Sequence, residues 1–153
     1  MKLSENLTLA EMLRSESAKR NGISNQPAAD HLENMKAWAI KVFQPIRDHF
    51  KRPIHISSGY RSFELNRLIG GSQSSQHSKG MAGDIDMDGT PIKNSEVFNF
   101  IKYNVNFDQL IWEFGNDFNP DWVHVSFNPH GENRKEILRA KKDNGKTVYI
   151  KLK

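Results

Sequence analysis

The chain contains no cysteine. Disulfides and thiolate metal sites are thereby excluded, and any bound metal must be held by His, Asp or Glu. Long apolar runs are missing too. No stretch approaches the roughly 20 residues needed to cross a bilayer, so membrane insertion is not expected. The opening residues MKLSENLTLAEMLRSES lack an apolar core of signal-peptide length, and the expectation is a protein made in the cytoplasm without such a leader. Neither an internal repeat nor a low-complexity tract is found. There is no helix-turn-helix pattern, no aromatic RNA-binding strand and no clustered basic stripe, so nucleic acid is not an expected partner. Charge is only mildly unbalanced, with 22 Lys and Arg against 18 Asp and Glu. The resulting field favours polyanions as neighbours without selecting one.

What remains is an ordinary globular composition in 153 residues, 37% of them hydrophobic, which suits one domain over 1–153. A monomer is the default expectation. Thr8 with Glu11 forms a capping box for a short helix to about Arg14, followed by a polar connector from Lys19 to Gln26. Pro27 suits the first turn of a long helix. Along it Leu32, Met35, Ala39, Val42, Phe43, Ile46 and Phe50 recur at helical spacing. Pro45 is expected to bend or interrupt its last turn. Pro53 to Ser57 reads as a strand, Ser62 to Ile69 as a helix ended by Gly70-Gly71, and Ser72 to Gly83 as a polar loop. A strand through Ile85 and Met87 is expected next, then a helix capped by Asn94, with Val97, Phe98 and Ile101 inward. Strands follow at Leu110 to Phe114 and Trp122 to Phe127. A hairpin closes the chain, Glu136 to Lys141 and Lys146 to Leu152, around Asp143-Asn144-Gly145. This order predicts an α+β fold with a central antiparallel sheet and flanking helices.

The polar loop carries Ser75-Gln76-His77-Ser78-Lys79-Gly80-Met81-Ala82-Gly83-Asp84, an imidazole and a carboxylate seven positions apart across a glycine-bearing turn. A catalytic zinc takes three protein ligands and keeps a fourth position open. Trp122-Val123-His124-Val125-Ser126 offers the third donor. Strand alternation puts Trp122, His124 and Ser126 on one face and the two valines on the other. Alone, His77 is more often a solvated loop histidine than a ligand. The surrounding Ser-x-His string is more specific, and it is accompanied upstream by Ser57-Ser58-Gly59-Tyr60-Arg61.

Together these motifs resemble the zinc D-alanyl-D-alanine carboxypeptidase family. That family shares its fold with hedgehog domains and includes L-alanyl-D-glutamate endopeptidases of phages and bacteria. The likeness runs from Leu7-Thr8-Leu9-Ala10-Glu11-Met12 to the Arg134 region, and is nearest to small phage and prophage endolysin-like members. It implies one Zn2+ on His77, Asp84 and His124, with a peptidoglycan stem peptide as substrate. It also implies a substrate-binding Arg61, whose forked guanidinium suits bidentate recognition; the plain alternative is a surface salt bridge. Tyr60 and Ser75 are further candidate substrate contacts. For the catalytic base two acids compete. Glu113 matches the strand glutamate of hedgehog-like and small endolysin members, while Asp121 stands three residues before His124, where other branches place an acid. Glu113 is favoured because a strand holds it more rigidly.

The implied activity is zinc-dependent hydrolysis of a stem-peptide bond, D-Ala-D-Ala or L-Ala-D-Glu. The alternative is a non-catalytic zinc module that binds wall or protein. An extracellular substrate would require release through a pore-forming partner. Asp86, on the face of Asp84, is a candidate partner for a zinc histidine, and Ser126, Trp112 and Trp122 for the groove. His31, His49, His55 and His130 are not expected to be ligands.

Overall fold

The computed structural model describes all 153 residues. Two short strands, β1 (Lys2–Ser4) and β2 (Leu7–Thr8), pair with each other and lead into helix α1 (Leu9–Leu13). Its capping box forms as expected, the Glu11 amide donating to Thr8 Oγ1 and the Thr8 amide to Glu11 Oε2. The expected connector from Lys19 begins instead inside a helix, α2 (Glu16–Arg20), which Ser15 caps through the Ala18 amide. Only Ala18 of that helix is buried, so no apolar stripe announces it.

The long apolar helix starts at Ala29 rather than at Pro27. It runs as α3 (Ala29–Trp38), a π-helical segment (Ala39–Phe43) and α4 (Gln44–Phe50) without a break. Proline would collide with the carbonyl four residues back in a regular helix. Pro45 stands at the start of α4, and just before it the Gln44 amide reaches five residues back to the Ala39 carbonyl. The widened turn absorbs the proline, so of the bend or interruption expected there no interruption occurs.

Strand β3 (Ile56–Ser58), helix α5 (Phe63–Leu68), a 3-10 turn (Gln76–Lys79), β4 (Ala82–Ile85), helix α6 (Asn94–Asn104), β5 (Gln109–Glu113), β6 (Trp122–Ser126), β7 (Glu136–Asp143) and β8 (Lys146–Leu152) complete the chain. The six-stranded sheet has the order β3-β4-β6-β5-β7-β8. Every pair is antiparallel except β5 with β7, which are parallel. The fold is α+β, as expected. The terminal hairpin turns at Asn144 and Gly145, both at positive φ, as a two-residue loop requires. Asn94 is buried and does not cap α6. Its side chain instead accepts from the Met87 amide and donates to the Pro120 and Asp121 carbonyls.

One face of the sheet is dry. Val123 and Val125 of β6, Leu110 and Trp112 of β5 and Ile85 of β4 pack with Trp38, Val42, Phe43 and Ile46 of the long helix and Val97, Phe98 and Ile101 of α6 in a single core. Period-2 alternation then turns the intervening residues, Asp84, Glu113, Ile111 and His124, to the opposite, open face. β4 begins inside the segment expected to be loop, because small residues let a strand lie directly on the helix. A Cβ at Gly83 would stand 2.5 Å from the Trp38 ring, and Trp38 Nε1 donates to the Val125 carbonyl at 3.0 Å. Gly83→Ala is therefore expected to force the metal-loop strand off the helix at a cost of about 1–3 kcal/mol, as overpacked cores do. Thermal denaturation of this variant against wild type checks it, with a Tm lower by several degrees expected for a chain of this size.

Candidate metal centre and cleft

β4 and β6 are aligned so that Asp84 stands directly opposite His124. His124 Nδ1 lies 3.0 Å from Asp84 Oδ1. The 3-10 turn swings His77 over the same oxygen, with Nε2 at 3.2 Å. Gly80 closes that turn in the left-handed region at φ +74, where any Cβ would press on the His31 carbonyl. All three side chains are buried, and their ligand atoms lie within 4.8 Å of one another.

The turn is stapled from both sides. The Gly59 carbonyl is 2.8 Å from His77 Nδ1, and the Arg61 amide donates to the His77 carbonyl. Only an N–H can satisfy that carbonyl, so His77 is held with its proton on Nδ1. In neutral His77, Nε2 is then a bare lone pair facing a carboxylate oxygen, two acceptors in contact. Such a pair needs a cation between or beside them. His124 adds a third donor to the same point, and its far nitrogen, Nε2, is buried without a partner. Two imidazole nitrogens and one carboxylate converging this way form a donor set that fits a three-ligand zinc site. Asp86 takes no part. β4 ends at Ile85, and the Asp86 carboxylate turns away to accept from the Asp88 amide and from Asn94. The support of His77 is a backbone carbonyl, which no side-chain pattern reveals.

A cleft of about 820 Å³ opens over this cluster, lined by Arg61, Ser75, Glu113 and Trp122 among others. Glu113 lies on β5, directly opposite Trp122, and is only 8% exposed. Burial pushes its carboxyl up to about 7; the negative charge of Asp84 adds to this, while His124 and Arg61 oppose it. Asp84 behaves in the other direction. Burial alone would raise it, but in the metal-free chain imidazolium charge on His77 and His124, with their hydrogen bonds to it, holds it well below the ordinary carboxylate range. Arg61 makes a long contact from Nη1 to Asn66 Oδ1, 3.4 Å, and its Nε is buried with no partner. Burial lowers its pKa, against the pull of Asp84 and Glu113. It takes part in no salt bridge, so its fork keeps donors free for a substrate oxygen.

The other candidates separate. Asp121 is exposed and does not line the cleft: three positions from His124 along a strand is the opposite face. Its amide donates to the Glu113 carbonyl, and its charge acts on Asp88 instead. Tyr60 is buried in the core, its hydroxyl 3.0 Å from His31 Nδ1, and it does not line this cleft. Ser75 does line it, while its Oγ accepts from the His77 amide at 3.2 Å. Ser126 is fully buried and bonds to the backbone of Gln109. Trp112 belongs to the core and Trp122 to the rim.

Several lining residues escaped the sequence reading. Gln76, Arg134, Thr147 and Tyr149 all face the cleft. Arg134 and Gln76 both bind the buried Asp108 carboxylate, which ties the rim to the start of β5. The alternation of Thr147 and Tyr149 along β8 was the available signal, but it marks a face only once the partner strand is known.

Two outcomes follow for the isolated protein. It is expected to bind close to one equivalent of zinc, measured by metal analysis after dialysis, with His77→Ala retaining none. Without metal, the raised Glu113 carboxyl means that the folded state holds a proton more firmly than the unfolded one. Stability contributed at this position is then highest below pH 4.5 and is lost as pH rises toward 7. Glu113→Gln is expected to stabilise the metal-free chain at pH 8, by up to about 3 kcal/mol, and to change nothing at pH 4. Denaturant melts at the two pH values read this directly.

A search of curated proteins finds no match. A family model described as Peptidase M15 matches residues 5–126, a span that contains His77, Asp84, Arg61, Glu113 and His124. The chain belongs to the Peptidase M15 family.

Proposed function

We propose that this protein is a zinc-dependent peptidase of the bacterial cell wall, hydrolysing a peptide bond in peptidoglycan stem peptides as a D-Ala-D-Ala carboxypeptidase or an L-Ala-D-Glu endopeptidase. Its biological setting in this reading is that of an endolysin-like hydrolase. The observation that carries the reading is the meeting of three metal donors, a buried carboxylate and an unpaired guanidinium in one open cleft. A metal-binding module without chemistry would have no use for Glu113, whose burial raises its pKa at a cost in stability.

When bound, zinc supplies Lewis acidity to water and to the peptide carbonyl. Glu113 as carboxylate takes a proton from the attacking water while the water oxygen bonds to the carbonyl carbon. The C–N bond then breaks, and Glu113 delivers that proton to the departing amine nitrogen. A carboxyl near neutrality suits both halves of this exchange, since it must accept and then release within one turnover. Arg61 binds an oxygen of the substrate, carboxylate or carbonyl, with its free donors. The net charge of +4 assists approach to an anionic wall.

Zinc-loaded wild type is expected to release new amino groups from purified peptidoglycan, and mass spectra of the products name the bond. Glu113→Gln should lower kcat by about 10²–10⁴-fold, the range of general-base loss, while keeping the metal. Asp121→Asn should stay within a few-fold of wild type; the reverse pattern would transfer the base to Asp121. Arg61→Lys should weaken substrate use through loss of the fork. A zinc-loaded wild type inert on all wall fractions would sink the peptidase reading.

A further inference from the structure

The matched family span ends at residue 126, yet the sheet does not. β7 and β8 add two strands beyond β5, and their register carries the open face outward. Glu113 stands opposite Ala140 of β7, and Ala140 opposite Tyr149 of β8. Residues directly opposite one another share a face, so Trp122, Glu113, Ala140 and Tyr149 form one row across four strands. Two strand spacings separate the backbones of Glu113 and Tyr149, about 10 Å. Between them is only a methyl group: Ala140 is completely buried and contributes no bulk. The Tyr149 side chain lines the cleft with His77, Asp84, His124, Glu113 and Arg61.

Packing does not explain this tyrosine. It is 56% exposed and stands outside the hydrophobic core, although it is the large aromatic of its strand. No hydrogen bond within the protein ties its hydroxyl down. Partial burial raises its pKa and the charges of Glu113 and Asp84 raise it further, so it keeps its proton through the neutral range. A protonated phenol is a donor, whereas Asp84 and Glu113 in their carboxylate forms can only accept. Arg61, another donor of the cleft, comes from the loop after β3, at the far end of the sheet from β8.

Resting on the peptidase reading, we propose that Tyr149 is a substrate-contacting residue, its hydroxyl donating a hydrogen bond to the oxygen of the scissile carbonyl as charge gathers there. The C-terminal hairpin is then part of the reaction cleft, added to the matched family domain as a wall on the β5 side. No proton is transferred by Tyr149: the phenol stays intact and only its hydrogen bond strengthens in the transition state.

Tyr149→Phe tests this in the full-length, zinc-loaded protein because it deletes one oxygen and preserves the ring. The expected result is a kcat reduced about 10–100-fold with KM within about two-fold, at the lower edge of what one such donor supplies. Zinc content and Tm should match wild type. Calorimetric binding of a phosphinate analogue of the stem dipeptide, whose tetrahedral oxygens imitate the reacting carbonyl, should weaken by a similar factor. If Tyr149→Phe retains wild-type kcat and analogue affinity, or if only KM moves, the assignment is overturned while the peptidase reading stands. A wild type that neither turns over stem peptide nor binds the phosphinate overturns both.

Discussion

The alignment of β4 against β6 is the constraint on which the site depends. Asp84 and His124 face each other because Ile85 pairs with Val123 and Gly83 with Val125, and those neighbours are fixed by the core. Side chains alternate faces along a strand, so a one-residue slip in either strand would bury a metal donor against Trp38 and expose a valine. The candidate metal pair is held in register by hydrophobic burial on the reverse side of the sheet. Gly83 takes part in this as much as the valines do, since its missing Cβ lets β4 lie against the Trp38 ring.

The third donor has no such sheet to hold it. His77 is on a short 3-10 turn in a stretch with few apolar residues, and its position comes from hydrogen bonds: Gly59 to its ring, Arg61 to its carbonyl, Ser75 to its amide. The same backbone segment thus positions a metal donor and presents the guanidinium of Arg61. The two functions are mechanically joined, and a shift in the Gly59–Arg61 strand exit would disturb both at once.

Much of this was legible from residue order. The alternation in Trp122 to Ser126 placed His124 on the open face, and the apolar stripe from Leu32 to Phe50 gave the core helix. The Ser-x-His string pointed to a metal loop. Legibility failed where the deciding contact was distant in sequence or made by backbone. The parallel pairing of β5 with β7 depends on where a loop returns. The π-helical turn before Pro45 substitutes for an interruption that local rules favour. Asp121 was eligible on its nearness to His124, although an odd spacing along the strand already put it on the other face, and Tyr60 was eligible until its ring was found in the core. Tyr149 was invisible because the hairpin's inward face is defined by Ala140 and Glu113, the latter 36 positions away along the chain.

The cleft also joins two carboxylates pushed in opposite directions by one environment. Asp84 and Glu113 are both buried at the same open face, and burial raises the pKa of each. What separates them is contact. Two imidazoles meet Asp84 directly and outweigh its burial, whereas Glu113 receives only the more distant charges of His124 and Arg61. One acid is thereby kept ionised and the other is left near neutrality, which fits the proposed division into metal ligand and base. The floor beside Glu113 is apolar: Ile111 stands opposite His124 and Leu138 opposite Ile111, both lining the cleft. Those two side chains keep the local dielectric low, which is why a single unpaired glutamate can be moved so far and why each fixed charge in the cleft acts with more force than it would in water.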